Sequence, residues 1–163
     1  MSRRKIYSVE DVATILEPAV KVFQFPKFKL ASEALTQAMN IIRDTRRWTQ
    51  SELAVSQEIS KVDGQTVVLD TESCETKAKN AVAFCALGAV EFVNGPAQRR
   101  AVAFLREAGK KVCITEKEAL PDDEAGNDHI FFINDEVGHR ATMRMFTLAI
   151  KAAKKAETER KQK

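Results

Sequence analysis

The stretch Ala81-Val82-Ala83-Phe84-Cys85-Ala86-Leu87-Gly88-Ala89-Val90 carries no charge and is closed by Glu91. It is shorter than the roughly 18 residues that a membrane span needs, so it belongs in a protein core. Joined to the residues before it, the run reads as one long helix over residues 75–93, apolar nearly all round in its second half, as a helix surrounded by others is. Cys85, Gly88 and Ala89 stand there at i, i+3 and i+4, a seam of small residues along which another backbone comes close. Asn94-Gly95-Pro96 ends this helix, the glycine suited to a left-handed cap and the proline to opening the next. Residues 96–108 then turn Ala101, Val102, Phe104 and Leu105 inward and Gln98, Arg99 and Arg106 outward, with Gly109 as the stop.

Toward the N-terminus, Ser8 and Asp11 make a varied capping box, and Val9, Val12, Ala13 and Leu16 predict a first helix from Val9. Pro18 opens a second short helix over residues 19–23, and Phe23, Phe25 and Phe28 form a cluster that anchors a loop on the core. From Ser32 the pattern Leu35, Ala38, Met39, Ile42 predicts an amphipathic helix to about Thr45, which delivers Arg46-Arg47-Trp48-Thr49-Gln50 at its end. Asp63-Gly64 predicts a tight turn and residues 65–69 a short strand, together a small hairpin.

Toward the C-terminus, residues 111–115 read as a second strand, residues 116–129 as a mobile polar loop, and Ile130-Phe131-Phe132-Ile133 as a short buried strand stopped by Asn134-Asp135. A final helix carries Thr142, Met145, Phe146, Ala149, Ile150 and Ala153 on one face and frays from Lys154 onward. The expected architecture is mainly α within an α+β class: five or six helices with a two- or three-stranded β element, one globular domain over residues 1–155, and a frayed basic tail over residues 156–163.

Composition narrows the class of function without naming one. The 163 residues are 44% hydrophobic and 30% charged with a formal net charge of +3, an ordinary soluble surface and not that of a strongly basic nucleic-acid protein. Arg3-Arg4-Lys5 runs into Ile6-Tyr7-Ser8-Val9-Glu10-Asp11, which lacks the apolar core of a secretory signal. Cys74, Cys85 and Cys113 are odd in number and match no zinc or redox spacing, so a reduced, cytoplasmic chain without metal or cofactor is expected.

Three constellations carry chemistry. Cys85 with Asn134, Asp135 and His139 has the residue types of a thiol nucleophile and base, but a reactive thiol needs a helix N-terminus and a cation, and a mid-helix Cys85 among Ala, Phe and Leu is inert. Asn134-Asp135 stands where an element ends, the place of a backbone cap, with His139 and Arg140 just beyond at the same corner. Arg43, Arg46 and Arg47 beside Trp48 make a phosphate-binding stripe with a stacking aromatic, provided that they share one face with the basic tail.

The helix over residues 35–42 leading to Trp48-Thr49-Gln50, then Cys85-Ala86-Leu87-Gly88-Ala89, then Ile133-Asn134-Asp135 before a C-terminal helix, resembles a family of uncharacterised short bacterial and phage proteins carrying a domain of unknown function. That family's pattern is Gly-Trp-x-Gln-Gly, Cys-Ala-Leu-Gly-Ala and Trp-Asn-Asp; this chain has Arg47 and Ser51 in place of the glycines and Ile133 in place of the tryptophan. The resemblance covers roughly residues 31–153 and implies a shared fold, with Trp48, Gln50, Cys85, Asn134 and Asp135 at any common site.

The leading functional expectation is a non-enzymatic binding or accessory protein that acts through protein contacts, of phage or mobile-element origin, with Trp48, Gln50, Asn134, Asp135, His139 and Arg140 as candidate binding residues. The alternatives are a nucleic-acid factor using Arg43, Arg46, Arg47 and the tail, and a small cysteine-dependent hydrolase or transferase. No membrane is expected as partner.

Overall fold

A computed structural model describes residues 15–93, 95–116 and 128–162. The expected helix from Val9 lies outside them except for Ile15 and Leu16, which are not helical, and so does most of the polar loop. The described elements run α1 (Ala19–Val22), α2 (Ala31–Arg43), a 3-10 turn (Thr45–Arg47), β1 (Ala54–Val62), β2 (Gln65–Cys74), β3 (Ala81–Phe84), α3 (Ala86–Val93), α4 (Gln98–Glu116), α5 (Asp128–Phe132), a π-helical turn (Ile133–Val137) and α6 (His139–Lys161). The fold is thus mainly helical with one antiparallel three-stranded sheet of order β2-β1-β3.

The local signals act as their chemistry requires. On α2 the residues Leu35, Ala38, Ile41 and Ile42 are buried at helical spacing. The hairpin turn holds Asp63 at φ +51° and Gly64 at φ +80°, the two left-handed positions of a two-residue turn whose twist matches that of the strands. The phenylalanine cluster forms as expected: Phe25 lies 6.0 Å from Phe23 and 6.1 Å from Phe28, and reaches the core through Phe92 at 6.3 Å.

The long helix over residues 75–93 is corrected. Residues 81–84 are a strand buried on both faces, and only residues 86–93 are helical, with Cys85 at the junction. A run that is apolar throughout suits a strand covered on both sides as well as a buried helix, so its pattern does not choose between them. The small-residue seam does exist, but its partner is a loop: a Cβ on Gly88 would sit 1.8 Å from the Leu53 carbonyl oxygen.

The strands expected at residues 111–115 and 130–133 are corrected too, since both segments are helical. Ala101, Leu105, Ala108 and Val112 form one buried face of α4, which continues through Gly109. That glycine is not a stop. It lets α5 and α6 come close, since a Cβ there would lie 3.2 Å from the His129 Cβ and 3.4 Å from the Met145 sulfur. Ile130 and Ile133 are buried one helical turn apart while Phe131 faces outward, which is helical and not alternating burial.

Where fraying is expected from Lys154, α6 is helical to Lys161, and Glu157 near its end has a partner at the start of α2. Leu30, at the cap position of α2, offers no side-chain acceptor. Glu157 supplies it instead: one carboxylate oxygen accepts the Ser32 amide at 3.1 Å and the other the Ser32 hydroxyl at 2.6 Å. This carboxylate meets the positive end of α2 and the unbonded donors there. Glu157→Ala is expected to cost about 1–2 kcal/mol, as the loss of a local cap does, read as a lower melting temperature with faster amide exchange in the first turn of α2.

Candidate functional site

Most of the residues singled out in the sequence meet at one corner. The 3-10 turn ends at Trp48, which pairs with Phe84 on the outer side of β3, and the Thr49 amide donates to the Phe84 carbonyl at 3.1 Å. The π-helical turn brings Asn134 up to this segment, fully buried. Its Oδ1 accepts from the Trp48 indole at 2.8 Å and from the Ala86 amide at 3.0 Å, the latter one of the unbonded donors at the start of α3. Its Nδ2 donates to the Thr49 carbonyl at 2.9 Å and to Asp135 Oδ1 at 2.7 Å. A carboxamide has two donor hydrogens and two acceptor lone pairs, so Asn134 has used its full capacity.

The neighbours continue the network. Asp135 Oδ1 also accepts the Ser51 amide at 2.9 Å, and Gln50 Nε2 donates to the Asp135 carbonyl at 2.8 Å. His139 is half-buried and bonded within the corner. Its Nε2 lies 2.7 Å from the Ile42 carbonyl near the end of α2, and because a carbonyl only accepts, that nitrogen carries a proton. Its ring packs edge-on to Trp48 at 5.2 Å. Arg140 turns away from the corner, exposed, and lines a hollow of about 600 Å³ with Val137, Ala141 and Arg144. The corner therefore ties α2, α3, α6 and the Trp48 segment together, and its polar groups bond chiefly to one another.

Ser51 holds φ at +65°, in the left-handed region that side chains other than glycine, asparagine and aspartate avoid. A glycine at this position would adopt the same backbone without the Cβ penalty. Ser51→Gly is expected to raise stability by up to about 1 kcal/mol by relieving the Cβ penalty, against some loss from greater freedom of the unfolded chain. A thermal melt checks it.

Cys85 sits at the strand-to-helix junction and not in mid-helix. Its carbonyl accepts the Ala89 amide at 2.9 Å and its sulfur accepts the Gly88 amide at 3.3 Å, so it caps α3. Burial overrides the activation that a helix N-terminus offers a thiolate, pushing the Cys85 thiol up to about 11. A thiol reagent is expected to modify Cys85 only on unfolding, followed by mass spectrometry across a urea series.

The three arginines do not form a stripe. Arg47 is buried: its guanidinium donates to the Glu17 and Val82 carbonyls at 3.1 and 3.0 Å and lies 5.3 Å from the centre of the Phe23 ring. Arg46 is exposed but paired through two nitrogens with Asp44, whose carboxyl it holds below the usual range. Arg43 is exposed at the last turn of α2. Neither the buried role of Arg47 nor the remote cap Glu157 has a sequence signature, since each depends on backbone groups brought up from distant segments.

Among the described residues, no helix is long and apolar enough to cross a membrane, and no cluster of three or more His, Cys, Asp or Glu side chains is placed to hold a metal. Neither a curated protein nor a solved structure matches the chain. Residues 29–152, which run from α2 into α6 and include the whole Asn134 corner, match a family of unknown function, DUF6197, and the chain belongs to that family.

Proposed function

We propose that the protein is a non-enzymatic binding protein that works through protein contacts, and that its contact element is the arm formed by β1 and β2. The observation that carries this reading is the length of hairpin left without a third strand. β3 pairs with β1 only at Ala54, Val55 and Ser56, so the hairpin beyond them projects as a two-stranded ribbon. Such a ribbon is at best marginal alone in water. Ile59, Val62 and Leu69 on it are 46%, 48% and 49% exposed. Among the described residues the outer edge of β2 has no neighbour in the sheet, and residues 65–69 lack the lysine or proline that guards an edge strand.

Charge selects the partner. The arm carries Glu58, Asp63, Asp70 and Glu72 against the single cation Lys61, and Glu58 stands directly opposite Asp70. Like charges in that position cost about 0.2–1 kcal/mol, which a cation from outside relieves. The occupant we commit to is an extended basic segment of another protein that adds a strand to β2. The same negative charge repels a nucleic-acid backbone, and with Arg47 buried and Arg46 paired to Asp44 the nucleic-acid reading loses two of its three arginines. A cysteine-dependent reaction has little support from a buried thiol of raised pKa. We place the protein in the cytoplasm, where its free cysteines stay reduced, and in a phage or mobile element on the resemblance.

The test is capture from the source cell with the native chain and with Asp70→Lys/Glu72→Lys, a variant that reverses the arm's charge and removes the Glu58–Asp70 repulsion. The expected result is a stoichiometric partner whose binding slows amide exchange in β2, lost with a variant that melts no lower than the native protein. A partner kept equally by both chains, protection confined to other elements, or no partner at all overturns the proposal.

A further inference from the structure

The packed pair α4 and α6 leaves a groove of about 310 Å³ on its outer side. Phe104 and Ala108 of α4 and Leu148 and Ala152 of α6 line its apolar floor. Phe104 and Leu148 pack against the core on one side yet remain only half-buried, while Ala108 and Ala152 are small enough to let another backbone settle between them. Lys111, Lys151 and Lys155 stand on the rim, all exposed. The carboxylate in the lining, Glu107, is paired with Lys110 at 3.2 Å, one turn along the same helix. On each helix the lining runs over eight residues, 104–111 and 148–155, a rise of about 10 Å at 1.5 Å per residue, the length that two turns of an incoming helix cover.

We infer that this groove is a docking surface for an acidic amphipathic helix of a partner protein, its apolar anchors on Phe104 and Leu148 and its carboxylates on the rim lysines. Spacing, floor and charge all match that occupant. A helix presents apolar side chains at i, i+3 or i+4, and i+7, and it seats them in a groove of this length. Flanking Glu or Asp residues meet three cations that no lining carboxylate neutralises. A duplex of nucleic acid would engage the lysines but leave the apolar floor without a counterpart. An anionic lipid surface is met by apolar side chains that project, whereas those here are recessed between two helices. The groove lies on the helical face of the molecule, so the inference does not depend on the hairpin arm.

The test is fluorescence anisotropy with a labelled 16-residue helical peptide bearing leucines at i, i+4, i+7 and i+11 with glutamates on the flanks. The comparison probes are the same leucine stripe flanked by lysines, a 20-base-pair duplex, and phosphatidylglycerol vesicles. The acidic peptide is expected to bind one to one, and to bind at least tenfold more weakly to Lys151→Glu/Lys155→Glu and to Ala152→Trp. Asp70→Lys/Glu72→Lys is expected to bind it as the native chain does, which separates this inference from the arm. The charge variant changes only exposed side chains, so it remains informative if Ala152→Trp fails to fold. Absence of acidic-peptide binding, equal binding by the groove variants, or groove-dependent binding of the lysine peptide, the duplex or the vesicles overturns the inference. Self-association that is abolished by Ala152→Trp overturns it also, in favour of a second copy of the chain as occupant.

Discussion

Asn134→Leu is expected to destabilise the protein by roughly 3–5 kcal/mol, because it leaves the buried Ala86 amide and the half-buried Trp48 indole without acceptors at about 1–3 kcal/mol each and strands the Thr49 carbonyl as well. A domain of this size has about 5–15 kcal/mol in total, so the variant is expected to melt about 10–20 °C lower or to be unfolded at ambient temperature. The near-isosteric Asn134→Asp is no rescue: it keeps the acceptors but loses both donors and sets a second carboxylate beside Asp135. Trp48 is the single tryptophan of the chain, so its emission reports on this corner directly. A red shift at denaturant concentrations below the main transition is expected in Asn134→Leu. Trp48→Phe removes one of the stranded donors, so the double variant is expected to lose less than the sum of the two single losses. A native-like melt with unshifted emission in Asn134→Leu would mean that the corner does not hold these segments together.

Gly88→Ala is expected to cost about 3 kcal/mol or more, at the upper end of what overpacking does, since the new methyl would lie 1.8 Å from the Leu53 carbonyl oxygen. The obstruction is backbone and has no rotamer by which to give way. That same oxygen accepts the Cys85 amide at 3.1 Å, so moving it disrupts the bond that joins the approach to β1 to the start of α3. Gly109→Ala is the control. There the nearest atoms stand at 3.2–3.4 Å, and alanine gains about 1 kcal/mol of intrinsic helix propensity, so its net effect is expected to be small. Two glycines inside helices thus differ by what lies opposite them, and differential scanning calorimetry of the two variants separates the cases. Equal melting temperatures would mean that the Leu53 loop moves aside freely.

The parts of the fold that were legible in the sequence are those whose signal is local. The apolar stripe of α2 has one period only, Asp63-Gly64 favours one kind of turn, and the facing apolar residues of α6 lie at helical spacing. The family resemblance likewise picked out Trp48, Gln50, Cys85, Asn134 and Asp135, and the structure brings them to one place. Their role was legible only as alternatives, a ligand site or a cap. The bond partners that favour the cap are backbone groups of Ala86, Thr49 and Ser51, and a backbone group leaves no mark on residue identity.

Residue identity by itself settled where apolar surface had to be buried, where the chain reverses, and which short motifs belong together. Tertiary structure alone chose strand for residues 81–84 and helix for residues 111–116 and 130–132, turned Arg47 inward and brought Glu157 to the start of α2. The reason is physical. A short apolar segment can pair its own amides as a helix or lend them to neighbouring strands, and it buries much the same side chains either way. The decision therefore falls to groups far along the chain that only the assembled fold brings near.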